Sequence, residues 1–326
     1  MKKIAVIGTG LSALSLAYHL PTLDITFFEK SWRPGGRIST RRHENYIFDH
    51  GAHYLKEDNG IIGFNEFLHK INATKILNGE FCANIQNQLP IEKKQIIVGQ
   101  NGMESIPLEF HKYLRYPTNL STQINKIETI NQEYYLHTED QEYGPFDFIF
   151  CCIPFEQSKN LLNKFIDFDV LSVPNFDSIW TIMVALDKRL GSPFQFGYHM
   201  TPEISFLMNQ NFKHEFFSDE CWVVNMRAEW TKEYYNIENY VLEDYVIDQL
   251  KKTFQSDAKA VFKKSHRWKY AYAKKSLNEL DSKNFIESID HRLYALGDWC
   301  HGPSMQDAWL SGKKLAKHFS ELRVQL

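Results

Sequence analysis

The run Gly8-Thr9-Gly10-Leu11-Ser12-Ala13 constrains this chain more than any other stretch of it. It follows a short apolar segment, Lys3 to Ile7, and opens Leu11 to Leu20, whose apolar spacing is that of a helix lying on a sheet. Pro21 ends the helix, and Asp24 to Glu29 reads as a second strand, completing one β-α-β unit. Gly8 permits the tight turn, Gly10 lets a pyrophosphate approach the backbone, and Ala13, in the third glycine position, lets helix and strand pack closely. The helix start points free N–H groups and a positive dipole end at the phosphates. Glu29, at the end of the second strand, is placed to accept from ribose hydroxyls. A dinucleotide is implied, but this motif alone does not separate FAD from NAD.

The rest of the composition narrows the partners. A length of 326 residues allows two domains. A net charge of -3 lacks the basic excess that a nucleic-acid partner requires. Met1-Lys2-Lys3 ahead of an apolar run mimics a signal peptide, but Gly8 and Gly10 break that run, so no export is expected. No stretch reaches the roughly 18 apolar residues that span a bilayer, and no membrane partner is expected. Cys82, Cys151, Cys152, Cys221 and Cys300 show no metal-ligand spacing and leave an odd one over. They read as core thiols in a reducing, cytoplasmic setting without a metal. The many aromatic residues suit a large core or the walls of a pocket for a planar ligand.

Further strands are expected at Tyr46 to Phe48, Gln123 to Ile130, Tyr134 to Thr138, Phe146 to Ile153, Ile179 to Leu186, Trp222 to Met226 and Arg292 to Leu296. Helical spacing covers Asn239 to Thr253 and Ser304 to Ser320.

Several segments select FAD by resemblance. Glu29-Lys30-Ser31, followed by Gly35-Gly36-Arg37, resembles the second flavin signature of the flavin amine-oxidase superfamily. Phe48-Asp49-His50-Gly51-Ala52-His53-Tyr54 is similar to the element of that superfamily that passes close to the flavin ring. Gly102-Met103-Glu104-Ser105-Ile106 precedes a helix, as it does in that group. Leu296-Gly297-Asp298-Trp299, with Met305-Gln306-Asp307-Ala308-Trp309-Leu310-Ser311-Gly312, resembles its flavin-closing motif. The resemblance implies that Asp298 accepts from the ribityl chain and that the helix near Pro303 aims its dipole at the pyrimidine end of the flavin. It also implies FAD contacts, without a covalent link, from Gly8, Gly10, Leu11, Ser12, Ala13, Glu29 and Lys30. The others so implied are Gly35, Gly36, Arg37, Gly51, Ala52, Ile124, Gly297, Asp298, Met305, Gln306 and Ala308.

Within the superfamily the chain resembles the renalase group, especially its bacterial members. The points of contact include GTGLSAL, GGRIST, FDHGAHYL, His266-Arg267-Trp268-Lys269-Tyr270-Ala271 and the GDW…DAWLSG ending. Asn225-Met226-Arg227 departs from it, where smaller residues are the pattern. That resemblance implies oxidation of 2- or 6-dihydro isomers of NAD(P)H to NAD(P)+, with molecular oxygen accepting the electrons and giving hydrogen peroxide. Such chemistry needs a shaped cavity more than a general base. No catalytic residue is assigned; the candidate pocket walls are His53, Tyr54, Trp180, Trp222 and Trp268, with His301 near the ring. An amine or polyamine oxidase of the same superfamily, a flavin hydroxylase and a non-catalytic binding protein of the same fold remain alternatives. The expected fold is α/β: a discontinuous Rossmann-type FAD domain (1–56, 100–155 and 285–326) and an α+β substrate domain (57–99 and 156–284) with a mostly antiparallel sheet.

Overall fold

The computed structural model describes residues 2–57, 63–169, 171–172, 174–214, 218–290 and 292–325. The β-α-β unit at its start comprises β1 (Lys3–Ile7), α1 (Leu11–Tyr18) and β2 (Asp24–Phe28). A hairpin follows, β3 (Thr40–His43) with β4 (Tyr46–Asp49), then α2 (Phe64–Lys70) and the long pair β5 (Thr74–Cys82) and β6 (Ile91–Gly99). The chain returns through α3 (Ser105–Leu114) and β7 (Thr118–Asn119). It then forms the meander β8 (Lys126–Ile130), β9 (Glu133–His137) and β10 (Glu142–Phe146), followed by β11 (Phe148–Cys151) and α4 (Phe155–Leu162).

The second half contributes β12 (Phe176–Leu186), β13 (Phe196–Tyr198), β14 (Ile204–Asn209) and β15 (Glu220–Met226). After α5 (Ala228–Glu233) and α6 (Asn239–Thr253) comes the long strand β16 (Ala260–Ala273). The chain closes with α7 (Leu277–Asp281), β17 (Ile286–Glu287), β18 (Leu293–Ala295), a single 3-10 turn at Asp298–Cys300, and α8 (Met305–Gln325).

These elements form two principal sheets, and the α/β class expected from the sequence holds. One sheet has six strands in the order β17-β18-β11-β1-β2-β7, parallel except at the β17–β18 edge. Its central strands are buried on both faces, as a parallel sheet covered by helices requires. The other has seven strands in the order β16-β12-β15-β14-β13-β5-β6, antiparallel except between β13 and β5. The β5–β6 hairpin and β10 escape the sequence reading because polar residues such as Glu92, Lys93 and Lys94 blur the alternation over their exposed halves. Two cores result. The larger fills the parallel sheet and its helices, and the smaller lies between the antiparallel sheet and α6. Among the described residues, no helix is long and apolar enough to cross a membrane.

Candidate cofactor and active site

The site begins where β1 gives way to α1. Gly8 has φ +95°, and a Cβ there would lie 2.7 Å from the Cys152 carbonyl oxygen, so no other residue fits the turn without movement. Gly10 forms the helix N-cap with no side-chain cap, and a Cβ built on it meets nothing within 4 Å. The start of α1 therefore has no side-chain cap and no side chain at Gly10, the arrangement that accepts a phosphate. Glu29 is buried at the end of β2. Its Oε2 accepts from the Thr9 amide at 3.0 Å and the Thr9 hydroxyl at 2.7 Å, and its Oε1 accepts from the Ser31 amide at 2.9 Å. Each carboxylate oxygen has two lone-pair sites, so this anchoring leaves acceptor capacity for a ribose hydroxyl. Lys30, beside it, is exposed.

The C-terminal segment meets this turn directly. The Arg37 guanidinium pairs with Asp298 and donates to the Ala271 carbonyl at 2.9 Å. α8 packs on α1: the Ser15 hydroxyl donates to the Trp309 carbonyl at 2.7 Å, and a Cβ on Gly312 would lie 2.4 Å from the Ser12 carbonyl oxygen. Gly35 abuts Pro107 of α3, and a Cβ on the exposed Gly36 would reach 4.0 Å from the Gly10 Cα, leaving two facing backbones with no side chain between. Leu11, Ser12 and Ala13 are buried in the first turn of α1, and Ala308 lies at the start of α8. The Gln306 side chain donates to the Lys56 carbonyl at 2.8 Å, and Met305 lies against the larger core. Ile124 is buried in that core between β7 and β8. Gly297 packs on the Trp299 indole. The open helix start, the anchored acid at β2 and the side-chain-free gap at Gly10 and Gly36 all fit an extended dinucleotide.

Beyond β4, residues 50–54 lie along one row of the antiparallel sheet. His266, Thr181, Asn225 and Phe206 are cross-strand partners on β16, β12, β15 and β14, so their side chains share one face. The His50 and His266 rings are 5.2 Å apart, and His53 stacks on Phe206 at 4.6 Å. The Tyr54 and Tyr198 hydroxyls are 2.7 Å apart. His53 Nδ1 donates to the Asp49 carbonyl at 3.0 Å, so its Nε2 accepts from the Asn225 amide at 2.8 Å, and Asn225 accepts from the Thr181 hydroxyl at 2.9 Å. Burial, reinforced by the Lys213 charge, pushes the His53 imidazole down to about 4, so it is neutral at pH 7.

A buried ion pair holds this segment from behind. The Lys213 ammonium and the Asp49 carboxylate are both fully buried and paired, and Lys213 also donates to the His53 carbonyl at 2.7 Å. Asp49 further accepts from the Thr40 hydroxyl at 2.6 Å and the Met103 amide at 2.8 Å. Burial alone would raise the Asp49 carboxyl, but Lys213 and His214 outweigh it and hold it well below the ordinary carboxylate range.

The expected pocket residues divide between the two faces of the antiparallel sheet. His53 and Tyr54 lie on the face of the 50–54 segment, where Trp268 donates its indole N–H to the His50 carbonyl at 2.8 Å. Trp180 and Trp222 do not. Both point into the smaller core with Ile182, Val184 and α6, because alternation along a strand sends their side chains opposite to Thr181 and Asn225. His301 lies beside Asp298, its amide donating to the Asp298 carbonyl at 2.8 Å, and burial lowers its imidazole to about 4. Of the departing triplet, Asn225 faces the 50–54 segment, Met226 is buried in the smaller core, and Arg227 contacts His199 at 2.9 Å. Lys213 gave no signal in the sequence, sitting alone in the polar stretch Asn209-Gln210-Asn211-Phe212-Lys213.

A family model for an NAD(P)-binding Rossmann-like domain matches residues 6–63, and one for flavin containing amine oxidoreductase matches residues 62–318. Coproporphyrinogen III oxidase of Staphylococcus aureus is 44% identical over 54 residues, covering 15% of this chain and 12% of that protein. Mitochondrial protoporphyrinogen oxidase of Nicotiana tabacum is 37% identical over 103 residues, covering 31% of this chain and 18% of that protein. The matched stretches thus span less than a fifth of these curated relatives. Among solved structures, a chain from Exiguobacterium sp. 255-15 described as a protoporphyrinogen oxidase superposes with a TM-score of 0.74 at 14% identity over 98% of each chain. Putrescine oxidase bound to putrescine gives 0.70 at 9% identity, over 98% of this chain and 99% of that one. These two likenesses are likenesses of fold.

Proposed function

Since this chain belongs to the flavin containing amine oxidoreductase family and has FAD as its cofactor, we propose that it oxidises 2- or 6-dihydro isomers of NAD(P)H to NAD(P)+, with molecular oxygen as electron acceptor. The observation that carries this reading is the chemistry of the face around residues 50–54. The Asp49 carboxylate behind this segment is consumed by Lys213, Thr40 and Met103, and the imidazoles His50 and His53 are held neutral. Asp49 is therefore not free to serve a cationic amine as counterion, and Trp180 and Trp222 are turned away into the smaller core. A neutral dihydropyridine carried on an anionic dinucleotide meets no such objection.

In this reading Gly8, Gly10 and the first turn of α1 receive the FAD pyrophosphate, Glu29 the adenosine ribose, and Asp298 the ribityl chain. FAD, when bound, supplies the two-electron acceptor for a hydride and passes the electrons to oxygen, giving hydrogen peroxide. The chain's residues orient and enclose. Arg37 holds Asp298 in place, while His53, fixed by Asp49 and Asn225, keeps the Gly51-Ala52 backbone at a set height over the sheet. Trp268, tied to the His50 carbonyl, closes one end of the row against water. No side chain is required to move a proton, because loss of a hydride from a dihydropyridine leaves the aromatic product directly.

An amine or porphyrinogen oxidase is the alternative within the same family, the second being favoured by what the curated relatives act on. Anaerobic stopped-flow mixing of the holoenzyme with 2- and 6-dihydro isomers, ordinary NADH, putrescine and protoporphyrinogen separates these readings. The isomers should bleach the flavin band fastest. Bleaching by putrescine or protoporphyrinogen alone, or isomer rates no greater than that of NADH, would remove the proposed substrate while leaving the family untouched.

A further inference from the structure

We propose that Arg41, His50 and His266 form an oxyanion subsite beside the 50–54 segment that takes an anionic group of the substrate. The proposal rests on the substrate reading above and deepens it: for a dihydronicotinamide dinucleotide, the group is a phosphate.

The three side chains converge from two elements. Arg41 is the cross-strand partner of Phe48, so both project to the same side of the β3–β4 hairpin. That side faces β16, because the Phe48 ring stacks on Phe262 at 5.4 Å. Arg42, one residue on, points the other way, to Glu104 and the Asn101 carbonyl. On β16, His266 lies 5.2 Å from the His50 ring and 4.4 Å from Trp268, whose indole stacks on His50 at 5.4 Å.

Arg41 is a donor in want of an acceptor, and the two imidazoles stand beside it. Arg41 makes no hydrogen bond or ion pair among the described residues, and its Nε is buried without a partner. His50 is only 4% exposed, its ring also meets the Phe48 backbone, and its Nδ1 is buried with no hydrogen-bond partner. The indole N–H of Trp268 is already spent on the His50 carbonyl, so it contributes a stiff wall. The buried Asp49 carboxylate is held by Lys213 on the other side of the hairpin. Burial pushes both imidazoles toward neutrality, followed at His50 by His266 and then Arg41, and at His266 by Arg41, which is left without an ion-pair partner among the described residues. A half-buried guanidinium without a counterion is costly. A bound oxyanion removes that cost, accepting from Arg41 in the planar geometry that guanidinium and phosphate share, and from an imidazole N–H beside it.

The test uses the FAD-loaded protein, so that the cofactor's own phosphate site is filled. Pyrophosphate and malonate are titrated separately, with binding read from tryptophan fluorescence and the flavin absorption band. Wild type should bind pyrophosphate, Arg41→Gln should bind it at least about tenfold more weakly, and Arg41→Lys should recover much of the loss. His266→Gln provides a second, less disruptive variant if Arg41→Gln fails to fold. Equal pyrophosphate affinity in wild type and either glutamine variant would overturn the subsite. In turnover, Arg41→Gln should raise KM for a dihydro dinucleotide about tenfold while leaving KM for the phosphate-free riboside unchanged. Arg41-dependent pyrophosphate binding without any reduction by the isomers keeps the subsite and removes the substrate reading. Arg41-dependent binding that favours malonate keeps the subsite and assigns it to a carboxylate-bearing substrate.

Discussion

Arg37 and Asp298 lie 261 residues apart in sequence, and their side chains form one ion pair that joins the first and last parts of the proposed cofactor site. Asp298 is almost wholly buried, while Arg37 is about a third exposed. Asp298→Asn keeps the shape and removes the charge. It is expected to weaken FAD binding at least about tenfold, the cost of a charge-assisted hydrogen bond. The ratio of flavin to protein absorbance after dialysis measures it, and an unchanged ratio would separate Asp298 from the cofactor.

Gly8 and Gly10 are expected to fail in different ways when substituted. Gly8→Ala strains a left-handed turn and drives a methyl group into the Cys152 carbonyl, so it should lower the melting temperature of the cofactor-free protein. Gly10→Val places its side chain in open space, so the cofactor-free protein should melt as wild type does while FAD binding is lost. Equal melting losses in both variants would contradict this division.

Removing Lys213 should be among the most damaging single changes. Lys213→Met strands the Asp49 carboxylate in a fully buried position, a loss of about 3–5 kcal/mol for a buried pair. The double variant Asp49→Asn with Lys213→Met should recover part of that stability, since the amide oxygen still accepts from Thr40 and Met103. Chemical denaturation of the three proteins gives the comparison, and a double variant less stable than Lys213→Met would refute it.

Acid should loosen the fold through its buried imidazoles. His50 and His53 fall from 6.5 in the unfolded chain to about 3 and about 4, chiefly by burial. A lowered imidazole contributes stability that is fully present above pH 6.5 and is lost as pH falls toward the folded value. Melting temperature should therefore decline between pH 7 and pH 4.5, with a shallower decline in His53→Gln. Parallel declines in the two proteins would mean that other groups carry the acid response.

The sequence revealed the cofactor half of the molecule more readily than the substrate half, for a physical reason. The turn at Gly8 to Ala13 and the acid at Glu29 lie within one β-α-β unit, so the residues proposed to meet a dinucleotide are neighbours in the chain as well as in space. The row His266, Thr181, Asn225 and Phe206 is gathered from four strands, and no local pattern announces it. Strand periodicity sorts Trp180 and Trp222 onto one face, but most of β12 and β15 is buried on both faces, so apolar character does not say which face meets the cofactor. Arg41 stands next to Arg42 in the sequence, and only the register of the β3–β4 hairpin divides the two.

The hydrogen bond from Ser15 to Trp309 spans 294 residues and seats the rear of the first helix on the last. During synthesis the fingerprint turn leaves the ribosome early, yet its supporting helix arrives only when translation has passed residue 309. Cofactor capture is thus a late event in the making of this protein, and chains arrested before that point should emerge without flavin.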